Sequence, residues 1–257
     1  MHKVVSMVNS EYFKYGKYFI ETRHKINARF TVYAPDLTSN QILELKKNDI
    51  GHVKISKEKF EKEMMSLKFE MMISPMSITD PNPNELITFV DFDVEFIKDW
   101  QEEILKYKFD LGITIRKNMI EDKCYRAMAN GGVIFCRNTF ESEKILEFAT
   151  DTMFKYGSDK LPEYDEIFKT LEDKNRPEHK RHLRTNLRCW TDQVLLSAIV
   201  KNCLSNKTPK FLGYNIECFP CELFNCVDKV QSNTYIKHLK QEGRFQISNI
   251  KENLLGA

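Results

Sequence analysis

Hydrophobic and polar positions follow two alternating periods along the first half of the chain. "KVVSMV" (3–8), "ARFTVYAP" (28–35) and "GHVKIS" (51–56) are short apolar-rich runs of strand length. Between and after them, "SEYFKYGKYFIETRHK" (10–25), "LTSNQILELKKN" (37–48) and "KEKFEKEMMSLKFEMMIS" (57–74) space their apolar residues as amphipathic helices do. Ser10 reads as the N-cap of the first helix. A turn, "DPNPN" (80–84), then leads into a nearly continuous apolar strand, "ELITFVDFD" (85–93). Strands alternating with helices predict an α/β fold with a central, mixed but mostly parallel sheet covered on both faces. Ligands of such sheets gather beyond the carboxyl ends of the strands. No Gly-rich fingerprint follows the first strand, which argues against a dinucleotide cofactor.

The second half continues with strands at "DLGITIR" (110–116), "GGVIFCRN" (131–138) and "KFLGYNIEC" (210–218). Helices are predicted at "ESEKILEFATDTMFKYG" (141–157) and "WTDQVLLSAIVKN" (190–202). The 257 residues show no internal repeat and no low-complexity linker, so one domain spanning 1–257 is expected.

Composition adds little to this picture, at 42% hydrophobic and 30% charged residues. No leader pattern and no membrane-length apolar run is visible, and seven irregularly spaced cysteines fit free thiols in a reducing cytoplasm. Cys218, Cys221 and Cys226 have no fourth ligand at short range except His238, which favours buried thiols over a zinc knuckle. The pairs Met64/Met65 and Met71/Met72 read as core filler. Charge is uneven. "KNRPEHKRHLRTNLR" (174–188) holds six Lys/Arg against one Glu, so it carries +5 of a net charge of +2 and the remainder carries −3. Such a segment is a solvated face or a surface for an anion.

The chemistry lies in "ITFVDFDVEF" (87–96), where an apolar run ends in Asp91 and Asp93 follows two positions later. With fourteen aspartates, a D-x-D arises by chance about once, so its place after a buried strand is what gives it weight. Three chemistries use such a pair. A nucleotide-sugar transferase holds Mg²⁺ or Mn²⁺ against a diphosphate with it. A haloacid dehalogenase-like phosphohydrolase would use Asp91 as nucleophile and Asp93 as acid/base. A two-metal exonuclease would start from Asp93 and Glu95. About ninety residues of α/β pattern precede the pair, and no Asp-Asp follows it, which disfavours the phosphohydrolase.

In order along most of its length, the chain resembles the GT-A glycosyltransferases, the nucleotide-diphospho-sugar transferases with a Rossmann-like domain. "VNSEYFKYGKYFIETRHK" is similar to the family's opening strand and helix, which implies that Tyr12 lies by the nucleotide base. "MMSLKFEMM" resembles the helix ahead of the metal motif and places Lys68 near the donor. "TFVDFDVEF" looks like the metal motif itself, and "ANGGVIFCRNT" like the strand beneath the donor sugar, giving Asn130, Gly131 and Gly132. "WTDQVLLSAI" resembles an Asp-Gln helix start on the acceptor side, giving Asp192 and Gln193. Taken alone, Asp192 also reads as a first-turn acid favoured by the helix dipole. "YIKHLKQEGR" is similar to the terminal motif that completes the metal site through His238. The family often spaces that motif H-x-x-G-x-x-K, whereas here His238 is five residues from Gly243 and Arg244 follows directly. Lys240 and Arg244 are therefore both candidates for the phosphate contact.

The resemblance implies a donor-binding half (1–110), an acceptor-side half (111–257), a metal cofactor, and a nucleotide-diphosphate sugar, most often a UDP-sugar, as donor. The Asp-Gln helix implies retention of configuration. A glycan, a lipid-linked sugar or a modified base of phage DNA are the acceptors weighed. A protein that binds the donor without turnover is the non-enzymatic alternative.

Overall fold

One sheet divides most of the buried apolar residues between its two faces, as the period of two along each strand requires. On β1 (His2–Met7), Val5 and Met7 join one cluster, whereas Val4 joins the other. The computed structural model describes residues 1–77, 79–121, 128–156, 187–227 and 229–239. The further strands are β2 (Ala28–Ala34), β3 (Ile50–Lys54), β4 (Asn82–Val90), β5 (Val94–Phe96), β6 (Leu111–Ile115), β7 (Ala129–Asn138), β8 (Lys210–Phe211), β9 (Tyr214–Pro220) and β10 (Ile236–His238). Eight of them form the main sheet in the order β3-β2-β1-β4-β7-β6-β9-β8, and β5 pairs with β10 in a separate antiparallel ribbon. β1 to β4 run parallel; β7 is antiparallel to both its neighbours, and β9 returns parallel to β6. The carboxyl end of β4 and the start of β7 therefore meet at one edge.

The helices are α1 (Lys17–Thr22), α2 (Ser39–Lys47), α3 (Lys57–Ile73), α4 (Gln101–Leu105), α5 (Lys117–Glu121), α6 (Phe140–Tyr156), α7 (Leu187–Ser205) and α8 (Cys221–Phe224). α3, α6 and α7 cover one face with residues such as Phe69, Met72, Leu146 and Ile199, whereas α1, α2 and α4 cover the other with Phe19, Leu45 and Ile104. Thr38 and Gln41 form a capping box at α2, and Ser56 caps α3.

Three local expectations change. The helix expected over 10–25 is a 3₁₀ turn (Tyr12–Gly16), α1 and a second 3₁₀ turn (Arg23–Lys25). Its entry is capped by the Asn9 side chain, which accepts from the Tyr12 N–H at 2.9 Å, and not by Ser10, whose own N–H donates to Asp36. The strand expected over 210–218 is a hairpin of β8 and β9. Leu212 (φ 51°) and Gly213 (φ 88°) form its two-residue turn, and two left-handed residues are what a twisted hairpin demands. Met71 and Met72 are core residues, but Met64 lies 36% exposed. Among the described residues no helix is long and apolar enough to cross a membrane.

Candidate active site

The apolar run of β4 stops at Val90 because the next residues leave the sheet. Asp91 donates its N–H to the Gly132 carbonyl at 2.8 Å, the last rung between β4 and β7. Phe92 turns into the core, its ring 4.8 Å from Phe19 and 5.5 Å from Phe13. The same ring fills the space a side chain at position 16 would need: a Cβ on Gly16 would fall 1.9 Å from it. Asp91 and Asp93 flank this anchored ring, and Val94 starts β5.

β10 brings the third member from the far end of the chain. His238 is opposite Val94 across the ribbon, its N–H donates to Cys226 O at 2.7 Å, and Leu239 N donates to Asp93 O at 2.8 Å. The ring is almost fully buried, with Nε2 3.0 Å from Asp93 Oδ1 and 3.6 Å from Asp91 Oδ2. Its Nδ1 lies 2.8 Å from Asn225 Oδ1. One ligand atom from each of Asp91, Asp93 and His238 lies within 4.8 Å of the others. Two carboxylates and an imidazole converging on one point fit a divalent cation, since both oxygen and nitrogen donors suit Mn²⁺ and related ions. Glu95, required by the exonuclease alternative, lies on β5 opposite Lys237, and Asp91 is the second carboxylate of the cluster.

Lys68 on α3 builds a second charge cluster beside the first. Its Nζ is 2.9 Å from Asp192 Oδ2 and 3.3 Å from Asp91 Oδ1, and it donates to Gly131 O at 3.1 Å. Burial opposes the charge on this lysine, but the Asp192 and Asp91 carboxylates outweigh it and hold its pKa above the ordinary value. Asp192 is buried in the second turn of α7, which starts at Leu187, so the first-turn dipole reading does not apply. The fit depends on two glycines. A Cβ on Gly131 would meet Asp192 Oδ2 at 2.3 Å, and one on Gly132 would meet His238 Cε1 at 2.8 Å and Asp91 Oδ2 at 3.0 Å. The backbone there is re-aimed by a bulge: Ile113 pairs with Ile134 but Thr114 pairs with Asn130, so Gly131 to Val133 have no opposite residue on β6.

The other expected residues divide. Asn130 is fully buried at the start of β7; its Oδ1 accepts from Gly132 N at 3.3 Å, and its Nδ2 has no hydrogen-bond partner among the described residues. Gln193 lies beside Gly131, and its buried Oε1 likewise has none among the described residues. Tyr12 is 49% exposed, 5.6 Å from the Tyr15 ring, beyond the carboxyl end of β1. Lys240, Arg244 and residues 174–186 of the basic segment lie outside the described residues. Cys218, Cys221 and Cys226 are free thiols, and burial pushes Cys221 up to about 11 and Cys218 to about 12. Sequence reasoning missed Asn225 and Thr114, whose side chains stand behind His238 and the bulge.

No known family profile matches the chain, and no curated protein sequence does. Solved structures do resemble it. The galactosyltransferase LgtC, solved with donor and acceptor sugar analogues, superposes with a TM-score of 0.52 at 11% identity, over 97% of this chain and 94% of that one. An active-site Gln-to-Glu variant of LgtC gives 0.52 at 10% identity, over 98% and 95%. The bifunctional glycosyltransferase WbbM gives 0.50 at 9% identity, over 93% of this chain and 45% of its own. The chain has the GT-A fold. Within this GT-A fold the Asp91–Asp93–His238 cluster occupies the edge where β4 ends and β7 begins.

Proposed function

We propose that this protein is a metal-dependent glycosyltransferase that moves a sugar from a nucleotide-diphosphate sugar, a UDP-sugar, to an acceptor hydroxyl with retention of configuration. One observation above all supports the reading: Asp91, Asp93 and His238 converge at the open edge of a GT-A sheet. Mn²⁺ or Mg²⁺ held by these three would supply a Lewis acid that neutralises the donor diphosphate. The chain's own groups do the rest. Tyr12 lies against the base, and the bare backbone of Gly131 and Gly132 beside Asn130 forms the floor under the sugar. Asn130 Nδ2 and Gln193 Oε1 are buried polar atoms that a sugar hydroxyl would satisfy. An active-site glutamine was also exchanged in LgtC. Lys68 keeps Asp192 and Asp91 aligned at the donor, Asp192 orients the sugar and acceptor, and Lys240 or Arg244 takes the charge of the departing diphosphate.

We assign residues 1–110 to the donor half and 111–257 to the acceptor half of a single domain, working in the cytoplasm. The +5 segment at 174–188 favours an anionic acceptor, either DNA carrying a modified base or a phosphorylated glycan or lipid. Reversing Arg181 and Arg184 to Glu should then weaken acceptor use, and transfer by the wild type should fall steeply with salt. Transfer insensitive to both would assign a neutral glycan.

The reading is tested with a panel of nucleotide sugars and Mn²⁺ or Mg²⁺, scored for slow donor hydrolysis without acceptor. Hydrolysis of one donor, lost on adding EDTA, is expected. No turnover or metal-dependent binding of any donor would overturn the reading. Beryllofluoride trapped on Asp91 would instead favour the phosphohydrolase.

A further inference from the structure

We propose that Asn225 is a positioning residue that dictates which ring nitrogen His238 offers to the acidic pair. The inference rests on the metal-site reading above, and it follows from counting donors and acceptors backwards from the sheet. The Thr114 hydroxyl lies 2.8 Å from Asn130 O and 3.1 Å from Val133 O. Both are carbonyls and only accept, so the single hydroxyl proton of Thr114 is committed to the bulge rather than to the neighbouring Cys221 thiol, the weaker acceptor. Toward Asn225, Thr114 Oγ1 therefore acts as acceptor, and Asn225 Nδ2 donates to it at 3.3 Å. That turns the amide oxygen to His238, 2.8 Å from Nδ1. An amide oxygen only accepts, so Nδ1 carries a proton whether Nε2 meets the carboxylates of Asp93 and Asp91 through a second proton or through a cation.

The arrangement has little freedom. Asn225 and Thr114 are fully buried and His238 nearly so. Backbone bonds hold both sides in place: Asn225 N donates to Cys221 O at 2.9 Å, Cys226 N to Ile236 O at 3.0 Å, and His238 N to Cys226 O at 2.7 Å. The bulge that presents Gly131 and Gly132 and the imidazole that faces them are thus parts of one hydrogen-bonded chain. A cation needs a lone pair on Nε2, which a proton on Nδ1 leaves free in the neutral ring.

The test uses ¹⁵N-histidine-labelled full-length metal-free protein, read for the proton on Nδ1, and, separately, calorimetry with Mn²⁺ alone. The wild type should show a proton on His238 Nδ1, and Asn225→Ala should shift the ring toward Nε2–H. Mn²⁺ should bind Asn225→Ala about 10–100-fold more weakly than wild type. Asn225→Asp, which retains an acceptor oxygen, should stay much closer to wild type. A wild-type ring without a proton on Nδ1, or a folded Asn225→Ala with unchanged ring and unchanged Mn²⁺ affinity, overturns the proposal. If Asn225→Ala does not fold, the wild-type spectrum decides by itself. Absence of Mn²⁺ binding by the wild type would remove the metal-site reading, while the ring spectrum would still decide the role of Asn225.

Discussion

Two acidic clusters stand side by side on Gly131 and Gly132, and they balance their charge in different ways. Asp192 is matched inside the protein, 2.9 Å from Lys68 with both side chains buried. Asp91 shares that lysine at 3.3 Å, and with Asp93 it also brings two carboxylates against one imidazole nitrogen. The first cluster ties α3, β7 and α7 together through Lys68. The second has the donor set of a cation site, which on the proposed function a metal would complete. A pair of carboxylates at a strand end thus differs in purpose from a buried ion pair a few ångströms away, although both are built from aspartates.

The sharpest way to break this comparison is Asp93→Asn. Loss of a metal's charge stabilisation is worth several kcal/mol, so turnover should fall about a thousandfold, and nucleotide diphosphate should bind equally with Mn²⁺ and with EDTA. Steady-state kinetics and calorimetry check it, and the melting temperature should change little. Lys68→Met should strike stability as well as turnover. It leaves Asp192 buried without its ion partner, which costs about 3–5 kcal/mol and lowers the melting temperature on the order of 10 °C. Lys68→Met/Asp192→Leu should recover much of that loss in a thermal melt.

The third expectation separates the clusters by ligand. Mn²⁺ at a hundred times its Kd should stabilise the wild type by about 2.7 kcal/mol, seen as a raised melting temperature. Asp93→Asn should lose this gain and the Lys68/Asp192 double variant should retain it. Smallest are the glycine variants, each costing about 1–3 kcal/mol through overpacking. Gly131→Ala, aimed at Asp192, should lower stability with Mn²⁺ affinity retained. Gly132→Ala, aimed at His238 and Asp91, should weaken Mn²⁺ binding. Calorimetry on both variants would show the sides reversed if the assignment is wrong.

The elements that were legible in the sequence are those fixed by local period. β1, β2 and β4 follow their apolar runs, and the Asp91–Asp93 pair stood out because a buried strand delivers it. The first helix is broken around Gly16, which leaves room for the Phe92 ring, a contact across 76 positions that no window of sequence contains. The burial of His238 is hidden for the same reason, because "YIKHL" reads as surface until β10 pairs with β5. Asn225 sits in a Cys-rich turn with no periodic signal. Its importance appears only when the acceptors around Thr114 are counted.

The pairing of β5 with β10 also sets a timetable. His238 meets Asp93 across 145 positions of chain, so the three ligands do not coexist until that loop has closed. Closing a loop of this length is an entropic cost that the contacts across the ribbon must offset. A chain emerging from synthesis holds both aspartates long before it holds the histidine. On the proposed reading, full cation affinity is therefore a property of the finished molecule, and a captured ion would work as a clasp between β10 and the end of β4.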